Sequence, residues 1–322
     1  MTKKTYNQGI THSIVLGSLL AYSAASYALP YAVGDVFAST GSGLVNVYSQ
    51  TGTLKQTLDT GLGGYTTGST FDAAGNFYVT AFSANRVSQF DNNGVLVNAN
   101  WTAGISLPES IVFDSAGNAY IGNAGAAQIQ KVDSNGVPIT NYTTLQNTDW
   151  IDLAADQQTL LYSNEGSTIR ELNTTTNVDT VFTTGSYGAL FAKRYLADGG
   201  VLAASGNGNV YRWDTAGVLQ QTYASGIGGV FALNLDPNGT SFWTGTLGGQ
   251  QISKINLATG ATEETWSTGV GQLYGLAVYG EIQAGGGGGN GGGTVPESNS
   301  LTLLALGLFG LVFGRRLQSK AA

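Results

Sequence analysis

The sequence predicts an all-β protein, a six-bladed β-propeller, flanked by an N-terminal signal peptide and a C-terminal single hydrophobic helix. Two observations predict the propeller: a motif that recurs about every forty-two residues, and strand-like alternation of apolar and polar residues within each repeat. A third observation, the composition of the two ends, predicts export. The expected units are a signal peptide at 1–28, the propeller at 29–283, a Gly-rich linker at 284–294 and a sorting signal with its helix at 295–322.

The first residues have the organisation of a secretory signal peptide. Lys3 and Lys4 form a basic start, and residues 14–25 form an apolar core. Ser26 and Ala28 provide the small side chains that signal peptidase requires. Because the core is too short to span a bilayer as a permanent helix, we expect cleavage after Ala28 and export of the remaining chain.

The body of the chain consists of repeats. The segments FDAAGNFYV at 71–79 and FDSAGNAYI at 113–121 match at most of their positions. In each repeat a large apolar residue closes an alternating run; these residues are Leu58, Trp101, Tyr142, Phe182, Tyr223 and Trp266. Six copies therefore fit between Tyr31 and Ile282.

Each repeat is predicted to contain four short strands joined by hairpins. Residues alternate in period two within runs such as 86–90 and 209–213, and Gly-containing turns such as 91–94 separate the runs. The turn at 91–94 also resembles the start of a calcium loop, but the later Glu of such a loop is missing, so we expect a hairpin. A lone four-stranded sheet cannot bury both faces until neighbouring sheets pack against it, which favours a propeller over a solenoid or a sandwich.

The two ends of the body are expected to pair. The first repeat starts with residues 35–38, whose pattern matches a second strand, so its innermost strand is missing. A strand with the expected pattern occurs at the far end, at 273–278. One blade would then combine a C-terminal inner strand with three N-terminal strands, and the ring would have no open end.

The last residues have the organisation of a sorting signal. A Gly-rich run at 285–293 lacks the Lys-Ser or Lys-Thr of a phosphate loop and is predicted to be a linker. It is followed by a polar motif, an apolar stretch and a basic pair: Val295, Pro296 and Glu297, then 298–314, then Arg315 and Arg316. The apolar stretch would span roughly 25 Å, the lower limit for a bilayer, with the basic pair on the cytoplasmic side.

This order of features resembles the PEP-CTERM sorting signal of Gram-negative bacteria, with Ser298 in place of the second Pro of the motif. The resemblance implies an exosortase-type processing enzyme as a partner. It also implies transient residence in the inner membrane through the C-terminal helix, followed by delivery to the cell surface or the extracellular matrix. A permanent single-pass anchor is the alternative.

Composition excludes several classes of function. Five of the thirteen basic residues but only one of the twenty acidic residues lie in the terminal signals, so the body carries eight basic and nineteen acidic side chains. Such a surface repels phosphate backbones, and nucleic acid is not an expected partner. The chain has no cysteine, and its one histidine, His12, lies in the signal peptide. The mature protein therefore cannot use disulfides, thiol or imidazole catalysis, or metal sites built from these side chains.

The repeat resembles known propeller families. The segment GNFYV at 75–79, followed by residues 85–87 and 90–91, resembles NHL repeats and the related SMP-30 and lactonase-like propellers. The resemblance covers about 250 residues and is sharpest in the second and third repeats. It implies the scaffold. Some members of this group are enzymes, but the Glu, Asn and Asp metal ligands of the gluconolactonases could not be placed at aligned positions.

The loops that enter the inner strand of each blade, together with the loops that join its second and third strands, are predicted to form a ligand-binding face, since propellers bind ligands mostly on one face. Five aromatic and two acidic residues lie there: Tyr65, Glu109, Asp149, Trp150, Tyr187, Phe231 and Tyr274. Aromatic faces beside acids suit sugar rings, so the hypothesis is a binding or scaffolding module for an extracellular polysaccharide. The alternative for each ring is a place in the core between two blades.

Two rival functions stay open. Glu109 and Asp149 could act as an acid and base pair for glycosidic cleavage, or belong to a lactonase with a calcium ion at the channel mouth. The rings could instead stack into a structural assembly. No catalytic residue, metal ligand or cofactor is assigned from the sequence, and calcium is the one cofactor kept as an alternative.

Overall fold

The computed structural model describes residues 31–284, which form six four-stranded antiparallel sheets. From the innermost to the outermost strand, the sheets are: β24 (Leu273–Val278), β1 (Val36–Thr40), β2 (Leu44–Tyr48) and β3 (Leu54–Asp59); β4 (Thr66–Phe71), β5 (Phe77–Ala81), β6 (Arg86–Phe90) and β7 (Leu96–Thr102); β8 (Pro108–Phe113), β9 (Ala119–Asn123), β10 (Gln128–Val132) and β11 (Pro138–Thr143); β12 (Trp150–Leu153), β13 (Thr159–Ser163), β14 (Thr168–Asn173) and β15 (Asp179–Thr184); β16 (Leu190–Tyr195), β17 (Val201–Ser205), β18 (Asn209–Trp213) and β19 (Leu219–Ala224); β20 (Val230–Leu235), β21 (Ser241–Thr246), β22 (Gln251–Asn256) and β23 (Thr262–Ser267). A short 3₁₀ helix, Phe82–Ala84, follows β5.

The innermost strands contact one another around a central axis in the order β24, β4, β8, β12, β16, β20 and back to β24. The predicted six-bladed β-propeller is therefore confirmed, and a solenoid or a sandwich is excluded. The top face is defined here as the end of the ring at which the chain enters the inner strands, and the bottom face is the opposite end.

The predicted signal peptide and its cleavage position at Ala28 lie outside the described residues, as do most of the linker and the whole sorting signal at 295–322. These parts of the domain prediction stay predictions. Within residues 31–284, no helix is long and apolar enough to cross a membrane.

The ring closes because the two ends of the described chain pair with each other. β24 lies antiparallel to β1, with Val278 opposite Val36. The backbone N–H of Tyr279 donates a hydrogen bond to the carbonyl of Asp35 (2.9 Å), which extends the ladder beyond the last strand. The predicted blade, made of a C-terminal inner strand and three N-terminal strands, is confirmed.

Aspartates shape the turns on the bottom face. In five of these turns the Asp carboxyl accepts hydrogen bonds of 2.8 to 3.0 Å from the backbone N–H groups two and four positions ahead; the residues are Asp72, Asp91, Asp114, Asp133 and Asp214. Such side-chain bonds hold the tight conformation that a hairpin needs. The segment at 91–94 is accordingly the hairpin turn between β6 and β7, as expected.

Apolar side chains fill the space between neighbouring blades. Between the first and second blades, the fully buried rings of Phe37, Phe71 and Phe77 lie with their centroids 4.7 to 5.3 Å apart. Further clusters of the same kind lie around the ring. Because at least two blades contribute to each cluster, a blade buries its apolar faces only when its neighbours are in place.

The segment after β24 fills the bottom of the axis. The carboxyl of Glu281, which is 3% exposed, accepts a hydrogen bond from the Thr70 hydroxyl (2.7 Å) and others from the side-chain amides of Asn234 and Gln283. Thr70 and Asn234 lie near the bottom ends of β4 and β20, so this carboxyl joins inner strands of different blades. The described chain then ends at Ala284 on the bottom face.

The close packing of inner strands gives a stability prediction. A Cβ atom on Gly275 in β24 would lie 2.0 Å from the carbonyl oxygen of Thr67 in β4, whereas a Cβ atom on Gly271 would meet nothing within 4 Å. We expect Gly275→Ala to lower the free energy of unfolding by roughly 1–3 kcal/mol, because backbone in the neighbouring blade must move. Gly271→Ala is the matched control and should not lower it. Urea unfolding measures both, and equal stability of the two variants would contradict the close approach.

Candidate functional site

A cavity of about 330 Å³ opens at the top face, at the mouth of the central channel. Its walls come from inner strands of several blades, from the loops that precede them, and from loops between second and third strands. The lining residues are Tyr65, Thr67, Phe82, Glu109, Glu165, Phe191, Phe231, Leu247 and Tyr274. We call this the mouth cavity. It lies where propeller topology places loops that can vary without disturbing the sheets.

Four aromatic rings form a continuous row along the mouth cavity. The ring centroids of Tyr65 and Tyr274 are 4.7 Å apart, those of Tyr274 and Phe231 are 6.4 Å apart, and those of Phe231 and Phe191 are 4.7 Å apart. Tyr65 is 41% exposed and Tyr274 is partly exposed, so these two rings can meet a ligand. The row provides aromatic faces next to the acidic side chains of the cavity.

Three carboxyl groups lie at or beside the mouth cavity without a basic partner. Glu109 and Asp149 are both 6% exposed, and Glu165 lies in an exposed loop. Within residues 31–284, no lysine or arginine nitrogen comes within 4.0 Å of any of the three, and no hydrogen-bond donor reaches them. These acids are removed from water without a hydrogen-bond donor or an ion-pair partner in direct contact.

This environment raises the pKa values of the three acids. Burial, followed by the nearby charges of Glu165 and Asp149, holds the pKa of Glu109 well above its usual range, with Lys193 opposing the shift. Burial and the charge of Glu165 raise the pKa of Asp149 to about 7, again against Lys193. Partial burial of its carboxyl also raises the pKa of Glu165, although the residue as a whole is exposed. Near neutral pH Asp149 is therefore partly protonated, whereas an ordinary aspartate is ionised.

A buried lysine lies below these acids. The ammonium group of Lys193, on β16, is fully buried and donates hydrogen bonds to the Ser163 hydroxyl (2.6 Å) and the Trp150 carbonyl (3.2 Å). Burial lowers its pKa to about 7, while Asp149 and Asp152 oppose the shift. Asp152 accepts a hydrogen bond from the Tyr195 N–H (2.7 Å), and burial raises the pKa of Asp152 to about 6. Titratable groups thus continue from the mouth cavity down the channel.

The structure brings four of the seven sequence-predicted site residues together in the mouth cavity: Tyr65, Glu109, Phe231 and Tyr274. Asp149 is buried close to them. Trp150 is 4% exposed and packs its ring edge-on against Phe231 at 5.1 Å, so it lies in the core. Tyr187 packs against Tyr211 and Trp213, both at 5.1 Å, and does not line the cavity.

Sequence reasoning missed several lining residues and the buried lysine. Phe82, Glu165 and Leu247 lie in loops between second and third strands, a position that the topology places on the top face. Lys193 could have been noticed as a basic residue inside an apolar strand, LFAKRY at 190–195. The sequence has no comparable signal for Thr67 or Phe191.

Two further cavities, of about 320 and 410 Å³, lie at the bottom face. Their acidic residues have partners: Asp198 forms an ion pair with Arg212 at 2.6 Å, and Glu171 accepts a hydrogen bond from the Tyr195 hydroxyl at 2.8 Å. The mouth cavity differs because its acids are unpaired. Among residues 31–284, no group of three or more His, Cys, Asp and Glu side chains is placed to hold a metal ion.

Comparison with known proteins identifies the scaffold. No protein-family model and no curated protein sequence matches this chain. The structure is similar to that of streptogramin B lyase (17% identity, TM-score 0.51, 64% of this chain and 69% of that chain). It is also similar to a chain of the nidogen/laminin complex (14% identity, TM-score 0.60, 76% of this chain and 97% of that chain). At these identities the similarity shows the propeller fold alone.

The raised pKa of Asp149 predicts how stability changes with pH. Between its usual value of 3.8 and about 7, the folded state holds a proton that the unfolded state has released. Stability from this group is therefore present at low pH and is lost as pH rises through that window. Asp149→Asn should leave the free energy of unfolding unchanged near pH 4 and raise it near pH 8 by an amount on the order of a few kcal/mol.

Urea unfolding at the two pH values measures this effect. Glu264→Gln, which removes an exposed acid on β23, is the matched control and should not show the same difference between the two pH values. A lower stability of Asp149→Asn at pH 8 would mean that the carboxylate is compensated in the folded protein.

Proposed function

We propose that this protein is an exported β-propeller that acts as a binding module at the cell surface or in the extracellular matrix. Its mouth cavity binds sugar rings of an extracellular polysaccharide. The observation that carries this proposal is the row of aromatic rings beside unpaired carboxyls at the open end of the channel. Concave sites of this size, mostly apolar with a few polar groups, are typical of small-ligand binding.

The chemistry of the lining suits a polyhydroxylated ring. The C–H faces of a sugar pack against aromatic faces such as those of Tyr65 and Tyr274. Burial raises the pKa of Glu109, and its carboxyl donates a hydrogen bond to a sugar oxygen when it is protonated and accepts hydrogen bonds from sugar hydroxyls when it is ionised. The desolvated site strengthens such bonds because water does not compete for them.

The export part of the proposal rests on the two terminal segments. The signal peptide at 1–28 would direct the chain out of the cytoplasm, and the tail at 295–322 would deliver it through an exosortase-type enzyme. The described chain ends at Ala284 on the bottom face. The mouth cavity therefore opens on the face opposite to the point at which the linker and tail begin.

A secreted hydrolase or lactonase is the second candidate function. The observation that favours it is the pair Glu109 and Asp149, two neighbouring buried acids with raised pKa values, since catalytic acids and bases are tuned in this way. The similar solved structures include an enzyme, streptogramin B lyase, and a chain from a complex between proteins. Failure of the purified protein to turn over lactone and glycoside substrates, with and without calcium, would remove this candidate.

Binding to polysaccharide tests the main proposal. Tyr274→Ala should weaken the affinity for exported polysaccharide, or for oligosaccharides made from it, by roughly tenfold, because one stacking face is lost. Tyr187→Leu is the matched control, because Tyr187 belongs to the same top face but does not line the cavity. Isothermal titration calorimetry measures both, with thermal unfolding to verify the fold. Unchanged affinity in Tyr274→Ala would place the binding elsewhere.

Export and processing can be tested by mass spectrometry of cell fractions. The mature protein should begin at Leu29 and should be found in the surface or extracellular fraction, with its tail cut near Val295–Glu297. Alanine substitution of Glu297 should leave the tail attached and retain the protein in the membrane fraction. Recovery of the intact polypeptide from the cytosol would contradict the proposed export.

A further inference from the structure

The acids of this protein fall into two groups according to their partners. Elsewhere in the ring, five aspartates form ion pairs with lysine or arginine. One pair is Asp35–Lys55, and the nitrogen and oxygen atoms are 2.6 to 3.1 Å apart in the other four: Asp114–Lys131, Asp179–Arg170, Asp198–Arg212 and Asp236–Lys254. Glu109, Asp149 and Glu165 have no such partner among the described residues. The other buried acids outside the mouth cavity, Asp152 and Glu281, accept hydrogen bonds from neutral donors. Among the buried carboxyls of residues 31–284, those of Glu109 and Asp149 are therefore the ones without an ion pair or a hydrogen-bond donor.

Lys193 does not complete the site. Its ammonium group lies beyond 4.0 Å from the three carboxyls and is held by the Ser163 hydroxyl and the Trp150 carbonyl below the cavity. Its side chain is fully buried and does not line the cavity. The charge of Lys193 acts on the three carboxyls from outside the cavity. The lining of the cavity contains carboxyls and no basic side chain, so it is electrostatically complementary to a positively charged ligand.

The remaining walls of the cavity favour the same kind of ligand. The row of Tyr65, Tyr274, Phe231 and Phe191 presents aromatic rings, whose faces carry partial negative charge. An ammonium group attracts such faces, and the attraction is larger where water is excluded. Aromatic rings and carboxyls that line one cavity are the groups that proteins use to hold substituted ammonium groups.

We propose that the ligand of the mouth cavity carries an ammonium group, held between the rings of Tyr65 and Tyr274 and the carboxyls of Glu109 and Glu165. The inference rests on the proposed function for the location of the site, and it deepens that function by naming the ligand class: a glycan with free amino groups rather than a neutral or N-acetylated one. An acetamido group carries no charge, so it would leave the carboxyls unpaired.

Binding of a cation is coupled to proton release. The charged groups that face Glu109 are Glu165 from the loop after β13, Asp149 from the loop before β12, and Lys193 from β16. A cation in the cavity stabilises the ionised carboxyls, so it displaces protons that the free protein holds. Because the pKa of Asp149 is raised to about 7, affinity for a permanently charged ligand increases as pH rises through the neutral range and this carboxyl ionises.

Calorimetry with matched probes tests the inference on the purified exported protein. The first pair of probes is a fully deacetylated glucosamine tetramer and its fully N-acetylated counterpart at pH 7. The second pair is tetramethylammonium, which stays charged at every pH, and the neutral tert-butanol. We expect the charged member of each pair to bind roughly tenfold tighter or more. Binding of tetramethylammonium should be tighter at pH 8 than at pH 6.

Two variants with the same loss of charge separate the site from the net charge of the protein. Glu165→Gln should weaken binding of tetramethylammonium by roughly tenfold. Glu264→Gln, on the outer strand β23, should leave the affinity unchanged. Equal weakening by both variants would overturn the inference, because attraction would then come from the overall negative charge.

The outcomes distinguish the inference from the proposed function. If the N-acetylated tetramer binds as tightly as the deacetylated one, the inference is wrong and the glycan function stands. If tetramethylammonium binds with dependence on Glu165 while neither tetramer binds, the ammonium site stands and the glycan function is wrong. If none of the probes binds, both are wrong.

Discussion

The pairing of β24 with β1 is the constraint on which the rest of the structure depends. Each sheet buries its faces only against neighbouring sheets, so an open array would expose the apolar surface of its first and last blades. Backbone hydrogen bonds between the two ends of the described chain convert that array into a ring. The closed ring in turn directs the starts of six inner strands toward one axis, where residues far apart in sequence become neighbours.

The buried carboxyls at the two ends of that axis differ in their hydrogen bonding. At the bottom, the buried carboxyl of Glu281 accepts hydrogen bonds from the side chains of Thr70, Asn234 and Gln283. At the top, Glu109 and Asp149 are as well buried as Glu281 but have no donor among the described residues. Buried carboxyls contribute to stability only when they are compensated. The top arrangement therefore costs stability, which is typical of a site retained for binding or catalysis.

The aromatic residues divide in the same way. Phe37, Phe71 and Phe77 have no exposed surface and hold two blades together, whereas Tyr65 and Tyr274 contact each other at the open end of the channel. Phe37 and Phe77 lie on second strands and Phe71 lies at the bottom end of an inner strand, whereas Tyr65 and Tyr274 lie where inner strands begin. Tyr65 and Tyr274 are at least partly exposed and lie beside unpaired acids. These two properties favour the mouth cavity over the two bottom cavities as the place where a ligand binds.

The sequence alone determined the number of blades, the hairpin turns and the C-terminal origin of the innermost first-blade strand, because period-two alternation, Asp-Gly turns and a repeat step are local signals. It also placed Tyr65, Glu109, Phe231 and Tyr274 on one face, since residues at equivalent repeat positions share an end of the ring. Only the tertiary structure decided that Trp150 lies in the core, that Tyr187 packs against Tyr211 and Trp213 rather than lining the cavity, and that Glu165 and Lys193 lie near Glu109. The direction of a side chain depends on the space that the neighbouring blade leaves open. The sequence of one repeat contains no signal for how the next blade packs against it.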